Sequence, residues 1–263
     1  MRGFLVYFMI HNLKSFLDEK HNQYNCIDFI EQDPIIIPHA FAKKEDIEIS
    51  GFFAATLAWG QRKTIINNAN KLMLWMDNSP HQFILNSSAK DWKPFSKFIH
   101  RTFNGEDCIT FIKCLQHIYK NKNGLESVFT KELLIENDMS KCISNFKKVF
   151  FEKNNHTRTS KHVADPLRNS SAKRICMYLR WMVRNDNNGV DFGIWKTIKP
   201  SQLYCPLDVH SARAAIALQL LNRTQTDWKA VNELTCSLRL LDESDPVKYD
   251  FALFGLSAYE GFK

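Results

Sequence analysis

The run from Ala172 to Arg184 (AKRICMYLRWMVR) admits one regular structure. On a 3.6-residue wheel, Ile175, Cys176, Leu179, Met182 and Val183 fall on one face, and Lys173, Met177, Arg180 and Arg184 form an adjacent stripe. The spacing predicts an amphipathic helix over 172–184. Asp165-Pro166-Leu167-Arg168-Asn169-Ser170-Ser171 leads into it and reads as a turn. Downstream, Cys205-Pro206-Leu207-Asp208-Val209-His210 reads as the entry to a second helix. A lysine and a carboxylate therefore each stand where a helix begins.

Helical rhythm runs through most of the chain. Residues 11–32 read as one or two short helices, and Asp33 to His39, holding two prolines, reads as extended. Asp46 to Trp59 reads as a helix capped by Asp46, with Glu48 favoured by the helix dipole. Gly60 is suited to end that helix in the left-handed region, which leaves Gln61 and Arg62 exposed at a tip. Further helices are expected over 63–77, 81–86, 94–102, 106–120, 124–134, 141–152, from Asp208 through Leu221, 228–239 and 247–256, with a polar loop from Asn154 to Lys161. Nine glycines and eight prolines are too few for a turn-rich β-protein of 263 residues. The fold class expected is all-α, with the chain as one structural unit.

Charge and cysteines narrow the function classes. From Lys141 to Arg184 eleven Lys or Arg stand against two acids, a balance of +9 within a total of +7, which leaves the remainder at −2. A basic surplus held in one segment resembles a polyanion footprint, although a solvated helix face has the same composition. The seven cysteines are scattered and no Cys-x-x-Cys pair exists. A disulfide framework, a zinc knuckle and a C-terminal iron–sulfur loop are all disfavoured, and no metal or other cofactor is expected. Met1 to Ile10 has the apolarity of a short signal peptide without an Ala-x-Ala exit, and reads as an amphipathic first helix or an upstream start. No apolar run approaches membrane length, so a cytoplasmic protein with no membrane partner is expected.

Four segments together resemble the helix-hairpin-helix base-excision DNA glycosylases, the superfamily of endonuclease III and the 8-oxoguanine glycosylases. ISGFFAATLAWGQR (49–62) resembles their early helix that ends in a glutamine. SAKRICMYLRWMVR (171–184) resembles the helix after the hairpin, whose lysine is the nucleophile of the bifunctional members. CPLDVHSARAA (205–215) resembles the segment with the catalytic aspartate, and KYDFALFGLSA (248–258) the closing helix. The chain departs from the pattern in having Asn169-Ser170-Ser171 where the hairpin is usually glycine-rich. It also places Asp208 35 positions after Lys173, a longer separation than in most members and nearer to the archaeal 8-oxoguanine glycosylases. The whole chain is also similar to an uncharacterised bacterial family built on this fold.

The resemblance implies two helical subdomains with a cleft between them: about 46–185 with the hairpin at 166–171, and about 1–45 with 200–263. It implies a DNA N-glycosylase with abasic-site lyase activity, a monomer acting on duplex DNA at the bacterial nucleoid, with an oxidised purine as the lesion by analogy. Lys173 would form a Schiff base, and Asp208 would stabilise positive charge on the sugar. Arg180 and Arg184, on the lysine's stripe, would lower its proton affinity. Gln61, Arg62, Arg168, Asn169, Ser170, Ser171, Arg180 and Arg184 would hold DNA, with Gln61 filling the gap left by the flipped base. Trp59, Trp181, Trp195 and His210, together with Phe192, would line the base pocket. Each has a plainer reading: Lys173 a phosphate contact, Asp208 an N-cap, His210 structural, Gln61 a polar residue at a helix end, the tryptophans core. A DNA-binding protein of this fold without catalysis is the alternative. Asp186 to Asp191 hints at a calcium loop but lacks the twelve-residue ligand pattern, and reads as a turn.

Overall fold

The computed structural model describes residues 2–153 and 158–262, with side chains described from Asn12 onward. Thirteen α-helices follow one another among the described residues: α1 Arg2–Tyr24, α2 Ile27–Glu31, α3 Ile36–His39, α4 Lys44–Leu57, α5 Arg62–Trp75, α6 Pro80–Asn86, α7 Gly105–Asn121, α8 Gly124–Glu136, α9 Met139–Phe151, α10 Lys173–Val183, α11 Val209–Ala217, α12 Trp228–Leu241 and α13 Tyr249–Tyr259. The one sheet among the described residues is a two-stranded antiparallel pair, β1 Ile99–His100 and β2 Phe103–Asn104. The chain is thus predominantly helical, and no described helix is long and apolar enough to cross a membrane.

Several local expectations are corrected. Asp33 to His39 is not extended: the Asp33 carboxylate accepts from the Ile35 N–H at 3.0 Å and α3 follows. Pro38 sits in the first turn of α3, where a missing N–H costs no helix bond. The helix expected over 94–102 is a 3-10 turn, Pro94–Lys97, followed by the β1–β2 hairpin. Asp46 does not cap its own helix, which starts at Lys44; it accepts from the His81 N–H at 2.8 Å at the start of α6. Glu48 is buried rather than a surface partner of the dipole, and its carboxylate accepts from Tyr119 Oη at 2.6 Å. The helix after Asp208 stops at Ala217, short of Leu221, and Gln219 follows with a φ of 58°. The first residues of the Asn154 to Lys161 loop, 154–157, and Met1 at the N-terminus lie outside the described residues.

The chain divides into two compact units, Ile30–Leu167 and Met1–Phe29 with Arg168–Lys263. In the continuous unit α4 is the central element, buried from Ile47 to Leu57 and packed by α3, α5 and α6. Its small and apolar ISGFFAATL run permits burial on all sides. Phe52 stacks on Phe111 of α7 with ring centroids 5.7 Å apart, and Phe129 of α8 stacks on Phe146 of α9 at 4.6 Å. Such offset aromatic pairs each add about 0.5–1.5 kcal/mol beyond their burial.

In the discontinuous unit α1 and α11 both pack on α13. The α1–α13 approach is close at Gly255, where a Cβ would stand 2.1 Å from the Tyr24 ring. α10 is buried on every side from Ile175 to Val183, wider than the single apolar face the periodicity predicts. Its two arginines make this possible. Arg180 pairs with Asp191 at 3.3 Å and with Asp250, and its guanidinium lies 4.1 Å from the Phe251 ring centroid. Arg184 pairs with Asp186, Asp191 and Asp245. Burial and the Arg184 charge push His21 down to about 4, so its ring is neutral at pH 7. Its Nδ1 then donates to the Lys248 carbonyl at 3.0 Å, and Nε2 accepts from Arg184 Nη2 at 3.3 Å.

Candidate active site

Lys173 is the first residue of α10, and Ala172, its N-cap position, is in the left-handed region with φ 49°. Asp208 is the N-cap of α11, with extended backbone. Its Oδ1 accepts from the N–H groups of His210 at 2.9 Å and Ser211 at 3.0 Å. Its Oδ2 lies 3.5 Å from Lys173 Nζ. The amine also contacts Met177 Sδ at 3.7 Å, one turn along α10. Both members of the pair keep 28% side-chain exposure, so solvent and a ligand can reach them.

The electrostatics of the pair follow from this placement. Burial, the largest influence, pushes the Asp208 carboxyl up, while the Lys173 charge and two helix-start N–H donors outweigh it. The carboxyl ends below its ordinary value and is ionised at neutral pH. Asp250, on α13, stands within electrostatic range of both: burial pushes it up to about 6, Arg180 and Lys173 oppose this, and Asp208 adds to it. The sequence reading missed Asp250. The signal was available, as the one acid inside the apolar run FALFGL and its lead-in.

The structure sorts the remaining site residues. Arg180 and Arg184 are 4% and 2% exposed and committed to the carboxylates of Asp191, Asp250 and Asp245, which corrects the expectation that they grip DNA. Trp181 and Trp195 are 0% and 1% exposed and belong to the core, which corrects their assignment to a base pocket. A helix tail rich in tryptophan and arginine looks like a recognition surface in sequence, and only the acids at 186, 191, 245 and 250 reveal that the arginines point inward. Phe192 is half-buried, its N–H donating to the Trp181 carbonyl at 2.8 Å. His210 is exposed, with its ring 6.3 Å from that of Phe254. Arg168 and Asn169 are exposed, and Ser170 and Ser171 half-buried. Asn169 has a φ of 62°, the left-handed conformation glycine would supply in this turn.

Trp59, Gln61 and Arg62 belong to the continuous unit. Trp59 is half-buried, its ring nearly parallel to His162 at 6.0 Å and edge-on to His100 at 5.1 Å. Gln61 is exposed just before α5, and Arg62 is the first residue of that helix. The α4 helix ends at Leu57, before Gly60 with its φ of 114°. Asp186 and Asp191 face Arg184, which accounts for their carboxylates. Among the described residues no group of three or more His, Cys, Asp or Glu is placed to hold a metal ion.

A family model described as "Protein of unknown function (DUF2400)" matches residues 33–259. No curated protein and no solved structure matches the chain.

Proposed function

We propose that this chain, which belongs to that DUF2400 family, is a DNA glycosylase with abasic-site lyase activity, Lys173 being the nucleophile and Asp208 the stabilising carboxylate. The observation that carries the reading is the 3.5 Å approach of Lys173 Nζ to Asp208 Oδ2 across 35 positions of sequence, with both side chains open to solvent. A sugar C1′ seated beside the pair would meet a carboxylate and an amine at once. As the C1′–N bond breaks, its electron pair leaves with the base and positive charge grows on the sugar. The ionised Asp208 offsets that charge, and its two backbone N–H bonds keep the carboxylate aimed without reorganisation.

The amine must be neutral to attack. Asp208 is the nearest acceptor for the proton Lys173 gives up. The Nζ–C1′ bond then forms, and an amine proton passes to O4′ as the sugar ring opens to a protonated Schiff base. Once Asp208 has passed its proton to the departed base, its carboxylate takes a C2′ proton as the 3′ phosphate leaves. The lesion proposed, by analogy alone, is an oxidised purine. Borohydride added to protein with duplexes carrying an abasic site, 8-oxoguanine or an oxidised pyrimidine tests the reading. A covalent complex absent from Lys173→Gln supports it. Base release without trapping makes the enzyme monofunctional, with Asp208 acting alone.

A second reading is DNA binding without cleavage. The closed Lys173–Asp208 pair supports it, because each group already satisfies the other. Duplex affinity that falls steeply with salt, with no product on any lesion, would decide for it.

A further inference from the structure

The turn that launches α10 is built without glycine. Asn169 and Ala172 adopt φ values of 62° and 49°. A non-glycine residue in that region costs about 1 kcal/mol or more, so surrounding structure must hold it there. Contacts made by a segment 58 positions downstream supply the hold. Ser170 pairs with Asp227 as an isolated antiparallel bridge. The Trp228 N–H donates to the Asn169 carbonyl at 3.3 Å. Asn169 Nδ2 donates to Asp227 Oδ2 at 3.1 Å.

Asp227 is itself fixed on the other side. Arg223 donates from Nε to Oδ1 at 2.8 Å and from Nη2 to Oδ2 at 2.6 Å, the two-pronged geometry of a strong guanidinium–carboxylate pair. Oδ1 also accepts from the Ala230 N–H at 3.0 Å and caps α12. One carboxylate thus joins Arg223, the start of α12 and the turn, and Lys173 follows Asn169 by four residues.

We propose that Asp227 is a positioning residue for Lys173: clamped by Arg223, its carboxylate holds Asn169 and so sets where α10 begins and where the amine stands relative to Asp208. The proposal rests on the reading of Lys173 as the reacting amine. An N-cap role alone would need only the bond to Ala230. The clamp on Asn169 and the bridge to Ser170 go beyond that.

Two variants separate the roles. Asp227→Asn keeps one oxygen to cap α12 but loses the paired acceptors that Arg223 and Asn169 share. Asn169→Gly keeps the positive φ and the α12 cap but loses the side-chain bond. In DNA-free full-length protein, trace acetylation with acetic anhydride reads the intrinsic reactivity of Lys173, by mass spectrometry, against exposed Lys199. Each variant should change the Lys173 to Lys199 ratio at least threefold. The double variant should do no more than the larger single, because both act through one contact. On abasic duplex, Asp227→Asn should slow borohydride trapping about tenfold at saturating DNA while half-saturation moves less than twofold.

Lys173 reactivity and trapping within twofold of wild type, with only the melting temperature lowered, would reduce Asp227 to a helix cap. Additive effects of the two substitutions would also overturn the proposal. If Asp227→Asn does not fold, Asn169→Gly carries the same test with the cap intact. If wild type traps nothing, the lyase reading fails, while the acetylation ratio still decides whether Asp227 positions Lys173.

Discussion

Lys173 Nζ and Asp208 Oδ2 lie 3.5 Å apart because two separate helices, α10 and α11, begin side by side in one unit. Asp208 serves both as the acceptor that starts α11 and as the partner of the amine. Its replacement by Asn keeps an oxygen for the cap and removes the charge. Asp208→Asn should therefore fold normally and lose base release by roughly 10²–10³-fold, the range for removing a group that stabilises transition-state charge. Single-turnover base release measures it. Asp208→Ala should cost about 1 kcal/mol of stability besides, through loss of the cap.

Lys173→Gln removes the amine from a partly exposed position. It should abolish Schiff-base trapping and strand nicking while leaving duplex affinity within a few-fold, as read by gel shift. A Lys173→Gln protein that still nicks would end the lyase reading.

Arg184 stands among Asp186, Asp191 and Asp245, with 2% exposure. Arg184→Met keeps much of the volume and strands those carboxylates. Removing one partner of a buried ion pair costs about 3–5 kcal/mol. A loss of that size in the unfolding free energy from urea titration is expected, and an unchanged midpoint would show that the guanidinium is dispensable.

Asp250 gives a pH signature. Burial raises it to about 6 in the folded chain, against 3.8 as its ordinary value. The folded state therefore binds the extra proton between those values. Its contribution to stability is full below about 3.8 and is lost as pH rises through about 6. The wild type should thus gain stability relative to Asp250→Asn, by about 1 kcal/mol, as pH falls from 7.5 to 5. Melting both proteins across that range isolates the group, since the other titrations are shared.

Gly255→Ala would place a Cβ 2.1 Å from the Tyr24 ring. The α1–α13 contact must then open, at about 1–3 kcal/mol. Differential scanning calorimetry should show the loss, and Tyr24→Ala combined with Gly255→Ala should recover part of it.

Much of the helical order was legible in the sequence because period and caps are local. The run 106–120, the Asp227 start of α12 and the Asp208 start of α11 need only neighbouring residues to be recognised. The positions of Lys173 and Asp208 at two helix starts were legible for the same reason. Their approach to 3.5 Å was not, because nothing local relates two helices separated by a long loop. Nor was the direction of Arg180 and Arg184. A wheel places them on a stripe, but whether that stripe meets solvent or Asp191, Asp245 and Asp250 depends on carboxylates far along the chain. The turn before α10 shows the same division. Its sequence offers Asn169 as a residue tolerant of positive φ, whereas the hold on Asn169 comes from Asp227 and Trp228, which only the folded chain brings to it. Sequence alone determined the local period and the helix starts. Tertiary structure decided which charges are buried and which stay open to solvent, because burying a charge requires partners that are remote in sequence.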